Sequence, residues 1–143
     1  MTGLVRDAPR HKVKTSEIGM QTRVGTRVLV VDDDAALRES LVALLARKGY
    51  QVSSATQGEE GLERLHEFHP QVVLLDLVMP IMDGLSFLTE RNRHPSLAKI
   101  PVVAMTATGD GGGALERNAD ALVSKPFEAE DILRLVDHYA RRS

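Results

Sequence analysis

Five polar side chains stand where apolar runs end: Asp32 and Asp33 after Val28–Val31, Asp76 after Val72–Leu75, Thr106 after Ile100–Met105, and Lys125 after Ala121–Ser124. An unbroken apolar run of four reads as a strand covered on both faces, as in a parallel sheet flanked by helices. In open α/β sheets the ligands lie beyond the carboxyl ends of the strands, so residues far apart in sequence converge on one edge. Three carboxylates gathered there repel one another and demand a cation. Hard oxygen donors with no His or Cys among them point to Mg2+ rather than zinc. Lys125 adds a compact positive charge, and Thr106 a hydroxyl that can donate to an oxyanion. This is equipment for holding a phosphoryl group beside a metal.

The elements that must position these groups follow from the pattern around them. Val28–Val31 opens the fold, and Asp34 is placed to cap a helix with Leu37, Leu41, Leu44 and Leu45 on one face. Gly49 closes that helix where a left-handed residue is needed. Gln51–Ala55 reads as a second strand, and Gly58–Phe68 as a helix with Leu62, Leu65 and Phe68 inward, stopped by Pro70. The third strand must end near Asp76, because Pro80 cannot continue a ladder. Asp83 is expected to cap a third helix carrying Leu85, Phe87 and Leu88, fraying before Pro95. Ile100–Met105 and Ala121–Ser124 are the fourth and fifth strands. A last helix over about Glu128–Ala140 turns Ile132, Leu135, Val136 and Tyr139 inward. Five alternations of strand and helix imply right-handed crossovers and an α/β doubly wound sheet, helices on both faces.

Bulk properties exclude several classes. The 143 residues are one domain's worth, with the 43% hydrophobic and 27% charged content of a globular protein. Two Tyr, three Phe and no Trp leave no stacking platform for single-stranded nucleic acid. The lack of Cys rules out disulfides and thiolate metal sites and fits the cytoplasm. No apolar run has membrane-spanning length, and the N-terminus has no apolar segment of a secretory signal. Residues 1–27 carry six basic and two acidic side chains, a net of +4, against −2 for the whole chain. Residues 1–25 show no apolar period and read as a flexible basic extension, or as translation beginning at Met20; contact with nucleic acid or an acidic partner is the functional alternative. Residues 26–143 are the expected folded domain.

The segments VLVVDDD, VVLLDLVMPIMDG, VVAMTA and KPF resemble, in order and spacing, the motifs of receiver domains of two-component response regulators. The resemblance covers roughly Thr26–Ser143 and implies a flavodoxin-like five-stranded parallel sheet of order 2-1-3-4-5. It implies that Asp76 takes a phosphoryl group from a phosphohistidine of a sensor histidine kinase or phosphotransfer protein. Asp33 then matches the direct Mg2+ ligand, Asp32 the neighbouring acid acting partly through water, and Val78 the residue lending a backbone carbonyl to the metal. Thr106 matches the hydroxyl that moves to the phosphoryl oxygen and Lys125 the cation pairing with it. The Lys125–Pro126 bond matches a cis peptide. Implied too is a cytoplasmic switch, not an enzyme, which supports its own phosphorylation and docks on a downstream protein as a monomer or weak homodimer, without direct DNA or membrane binding. The chain ends directly after the last helix, so a stand-alone receiver is expected.

Three departures qualify this. The stretch from Thr106 to Lys125 opens TATGDGGG, leaving a short or irregular fourth helix at about 114–118. Leu122 stands where many members carry an aromatic that swings with the threonine, so ordering of the glycine segment is the expected substitute. Val78 and Thr108 occupy the positions that tune water access to the phosphoryl group; neither is a carboxylate, and slow autodephosphorylation is expected. Two rivals remain. One is a degenerate receiver that docks without phosphorylation. The other is a phosphatase of the haloacid-dehalogenase type, disfavoured by Ala36 in place of its threonine and by the lack of room for a cap.

Overall fold

The computed structural model describes residues 25–77, 81–106 and 118–141. Its strands are β1 (Arg27–Val31), β2 (Gln51–Ala55), β3 (Val72–Asp76), β4 (Val102–Thr106) and β5 (Ala121–Ser124), all parallel in the order β2-β1-β3-β4-β5. The helices are α1 (Ala35–Arg47), α2 (Gly58–Phe68), α3 (Ile81–Arg93), a short α4 (Pro95–Ala98) and α5 (Ala129–Arg141). The basic arm over 1–24, the Val78 carbonyl, Thr108, and the glycine run with nearly all of the expected fourth helix lie outside the described residues.

Strand periodicity explains why helices cover both faces. Leu29, Val31, Val73, Leu75 and Val102 point to one side, where Leu65 of α2, Phe87 and Leu88 of α3, and Leu97 of α4 pack on them. Val28, Val30, Val72, Leu74, Val103 and Met105 point to the other, against Leu41 and Leu45 of α1 and Ile132 and Val136 of α5. Each such side chain contributes roughly 1.5–3 kcal/mol by leaving water. Leu37, Leu62, Leu135 and Tyr139 pack at the margins as expected, while the Leu85 side chain lies outside the described set.

The caps follow the sequence closely. Asp34 Oδ1 accepts from the Leu37 N–H at 3.2 Å, and Gly49 takes φ +99° just past α1. His69, in the left-handed region at φ 48°, ends α2 before Pro70. Two boundaries need correction. β4 starts at Val102, not Ile100, because Pro101 has no N–H for the ladder; its carbonyl alone joins, accepting from Val73 at 3.0 Å. α3 begins at Ile81, so Asp83 lies within its first turn instead of capping it, still at the end where an acid suits the helix dipole. Pro95, expected only to stop α3, also starts α4, its fixed φ suiting the first helical position.

A buried cation braces the end of the sheet opposite the acids. Arg91 of α3 donates to the Ile100 carbonyl at 2.7 Å and to Asp120 Oδ2 at 3.2 Å, while Asp120 Oδ2 also accepts from the Val102 N–H at 2.7 Å. Burial pulls the guanidinium below its ordinary pKa, with Asp120 opposing. Its Nε is buried without a partner among the described residues. Replacing the arginine strands a carbonyl and a half-exposed carboxylate, so Arg91→Met is expected to lower the unfolding free energy by about 2 kcal/mol. Urea denaturation of both proteins measures this, and an unchanged midpoint would count against the brace.

Candidate functional site

The acidic residues meet because β1 and β3 are register neighbours. Val31 pairs with Leu75, so the residues that follow, Asp32 and Asp76, emerge side by side. Asp33 lies one residue further, exposed, and one carboxylate oxygen from each of Asp32, Asp33 and Asp76 lies within 4.8 Å of the others. Asp32 and Asp76 are buried. β4 and β5 bring the rest: Asp76 pairs with Met105 and Thr106 with Ser124, and the Lys125 N–H donates to the Thr106 carbonyl at 2.8 Å. Thr106 is buried, and Lys125 Nζ reaches Asp76 Oδ1 at 3.2 Å. The Lys125–Pro126 peptide is cis, as the resemblance implies. All five side chains singled out from the sequence therefore occupy one edge. Leu122 of β5, paired with Ala104, is 43% exposed.

Electrostatics mark this edge as built for a positive guest. Burial first, and then the Asp76 carboxylate beside it, push the Asp32 carboxyl up from 3.8 to about 7, although the Asp34 N–H and Lys125 pull it down. Asp32 Oδ1 accepts from the Asp34 N–H at 2.9 Å, whereas Oδ2 is buried with no hydrogen-bond partner among the described residues. An orphaned buried carboxylate oxygen facing two further acids is the donor set of a hard divalent cation. Mg2+ fits, since it binds through one or two carboxylates and keeps several waters. Among the described residues no other group of three His, Cys, Asp or Glu side chains is so disposed. His66, His69, His94 and His138 all lie at or near the surface, His66 and His94 in edge contact with ring centroids 5.0 Å apart.

One neighbour was missed. Arg38 of α1 donates from Nη1 to the Asp32 carbonyl at 2.9 Å. The clue was present, because helical side chains lean toward the N-terminus and a residue one turn into α1 can reach back over the loop before it.

The fold and the edge together define a phosphoryl-handling switch domain of doubly wound α/β type. The response regulator receiver domain model matches residues 28–137, and the chain belongs to that family. It is 39% identical over 120 residues to the transcriptional regulatory protein DltR of Streptococcus agalactiae, covering 82% of this chain and 53% of that one. Over 119 residues it is 33% identical to the phosphate regulon transcriptional regulatory protein PhoB of Escherichia coli, covering 81% and 52%. The chain thus spans about half the length of the curated relatives it matches. Among solved structures, a response regulator from Chloroflexus aurantiacus superposes with TM-score 0.75 at 29% identity, covering 82% of this chain and 99% of that one. The receiver domain of a sensor histidine kinase from Pseudomonas aeruginosa, with a magnesium ion coordinated in its active site cleft, superposes with TM-score 0.74 at 22% identity and the same coverage. Family membership makes the domain a receiver module of two-component signalling. It also removes the phosphatase rival. No helix among the described residues is long and apolar enough to cross a membrane.

The raised Asp32 has a thermodynamic consequence. A carboxyl whose folded pKa lies above its unfolded value favours the fold while neutral, and that stability is lost as pH climbs from about 4 to about 7. Without divalent cation, Asp32→Asn is therefore expected to be more stable than the native chain at pH 8, the difference closing near pH 4. Urea unfolding in EDTA at the two pH values checks this, and a pH-independent difference would refute it.

Proposed function

We propose that Asp76 accepts a phosphoryl group from the phosphohistidine of a sensor histidine kinase or a phosphotransfer protein. The phosphorylated domain then changes its docking on a downstream protein in the cytoplasm. The observation that carries this reading is the Lys125–Asp76 contact at 3.2 Å inside a ring of acids. An ammonium there holds the carboxylate in one direction. An Asp76 oxygen attacks phosphorus, the phosphorus–nitrogen bond breaks, and the imidazole nitrogen leaves with the electron pair. Lys125 stays close to the charge that builds on the phosphoryl oxygens, and the Thr106 hydroxyl is the donor to one of them. Asp32, Asp33, Asp76 and the Val78 carbonyl would hold Mg2+, which supplies charge neutralisation at those oxygens. The magnesium in the P. aeruginosa receiver supports that assignment.

Intact mass after incubation with acetyl phosphate and Mg2+ is expected to show one phosphoryl-sized gain, absent in Asp76→Asn. Failure of the native chain to gain it, both from acetyl phosphate and from a phosphorylated phosphotransfer protein, would overturn the acceptor role in favour of docking without phosphorylation. A second expectation concerns lifetime. Val78 offers no hydrogen bond to position an attacking water, so the phosphorylated native chain is expected to decay more slowly than Val78→Asn, by roughly threefold or more. Phosphate release from the two proteins decides it, and faster decay of the native chain would sink the idea.

A further inference from the structure

The peptide that joins Asp32 to Asp33 carries the Asp32 carbonyl, and the Arg38 guanidinium holds that carbonyl at 2.9 Å. Asp32 is otherwise fixed by its N–H on the Ala55 carbonyl at 3.1 Å and by its Oδ1 on the Asp34 N–H at 2.9 Å. These two bonds settle where Asp32 lies. The second bond closes an Asx turn across the Asp32–Asp33 peptide, Arg38 holds the carbonyl of that same peptide from outside, and its plane sets the direction of the exposed Asp33. Arg38 is itself rooted in α1, its N–H donating to the Asp34 carbonyl at 2.9 Å, and Asp34 caps the same helix. Glu60 of α2 is held below the ordinary carboxyl range mainly by the Thr56 N–H and hydroxyl, with attraction from Arg64 and Arg38 added. Among the described residues the Asp32 carbonyl is the only hydrogen-bond acceptor that the Arg38 side chain contacts.

We propose that Arg38 is a positioning residue for the cation site: by clamping the Asp32–Asp33 peptide it aims the two acids at one point. This rests on the reading of the acidic edge as a Mg2+ site. Two effects of the residue oppose each other, and their sign separates them. As a positive charge beside the acids, Arg38 repels a cation, so its removal by charge alone would tighten Mg2+ binding. As a clamp it pre-organises the donors, and loss of the partner behind a metal ligand typically weakens affinity 10–100-fold. The clamp is the larger effect, because the half-buried guanidinium bonds directly to the carbonyl, and the peptide it holds leads straight into a ligand.

The test is calorimetric titration with MgCl2 of the native chain, Arg38→Met, Arg38→Gln and Arg38→Lys, with urea unfolding in EDTA alongside. Met and Gln are expected to bind Mg2+ about tenfold more weakly, with unfolding midpoints close to native. Lys keeps one donor for the carbonyl and is expected to fall within about threefold of native. Affinity equal to or tighter than native in either folded neutral variant overturns the clamp. So does a lower unfolding midpoint with unaltered Mg2+ affinity, the mark of a purely structural arginine. If the native chain itself binds no Mg2+, the cation site falls and the clamp with it, an outcome distinct from a variant that fails to weaken.

Discussion

Like charges held close together are what the rest of this domain has to support. Two ionised carboxylates within 4.8 Å of each other repel by on the order of 3 kcal/mol or more at the effective dielectric of a protein edge, and Asp33 adds a third partner. Nothing in the local chain would keep such groups together. They stay because each is the continuation of a strand that cannot move: Val28–Val31 and Val72–Leu75 are fully buried, and their ladder fixes Asp32 beside Asp76. The domain answers the repulsion with Lys125 on Asp76 and with a carboxyl in Asp32 that ionises only near neutrality.

The cost of that arrangement is met by a framework with little freedom. Two apolar layers, one on each face of the sheet, enclose the strands, and small-scale hydrogen bonding finishes the ends. At the active edge the bonds come from loop and helix start: Asp34 on Leu37, Thr56 on Glu60, Arg38 on Asp32. At the opposite edge Arg91 and Asp120 tie α3 to the starts of β4 and β5, and Tyr139 of α5 donates to the Asp120 carbonyl at 3.0 Å. Close packing supports the acidic edge: a methyl group on Gly61 of α2 would lie 3.1 Å from Val31 and 3.2 Å from Phe87, so α2 packs directly against the end of the strand that leads into Asp32.

How much of this was legible depended on the range of the interaction concerned. Unbroken apolar runs ending in Asp, Thr and Lys declared both the parallel sheet and the edge that its strands share, because burial on two faces leaves no alternation to misread. Caps were legible at Asp34 and Gly49, where one residue decides the local geometry. Asp83 was misread because a proline upstream and an acid in the first turn offer two helix starts, and only the tertiary packing of α3 chooses between them. Pro101 removed the first residues of the fourth run from the ladder for a reason visible in the sequence but outweighed there by hydrophobicity. Arg91 and Asp120 were not legible at all, and Arg38 only as a side chain able to reach back over the loop before α1. Their roles come from partners 6 to 29 residues away, and nothing in the periodicity of an exposed-looking charge says that it will be turned inward.

The two sides of Asp76 differ in how they can respond to a change at its carboxylate. On the β1 side lies a strand buried along nearly its whole length, and any shift there would cost packing in both cores. On the other side the route runs from Lys125 through its own N–H to the Thr106 carbonyl, and so into the end of β4 and the edge strand β5. β5 alternates between half-buried and exposed residues and has a neighbour on one side only, so its displacement sacrifices far less apolar contact than a displacement of β1. Leu122, exposed on that strand, lies where such a displacement alters the surface. A leucine has no hydroxyl or indole to hold it in an inward position, so its contribution to any partner is the area of its side chain and nothing more directional. The asymmetry therefore follows from topology: the acids are anchored in the middle of the sheet, and the cation that answers them hangs from its edge.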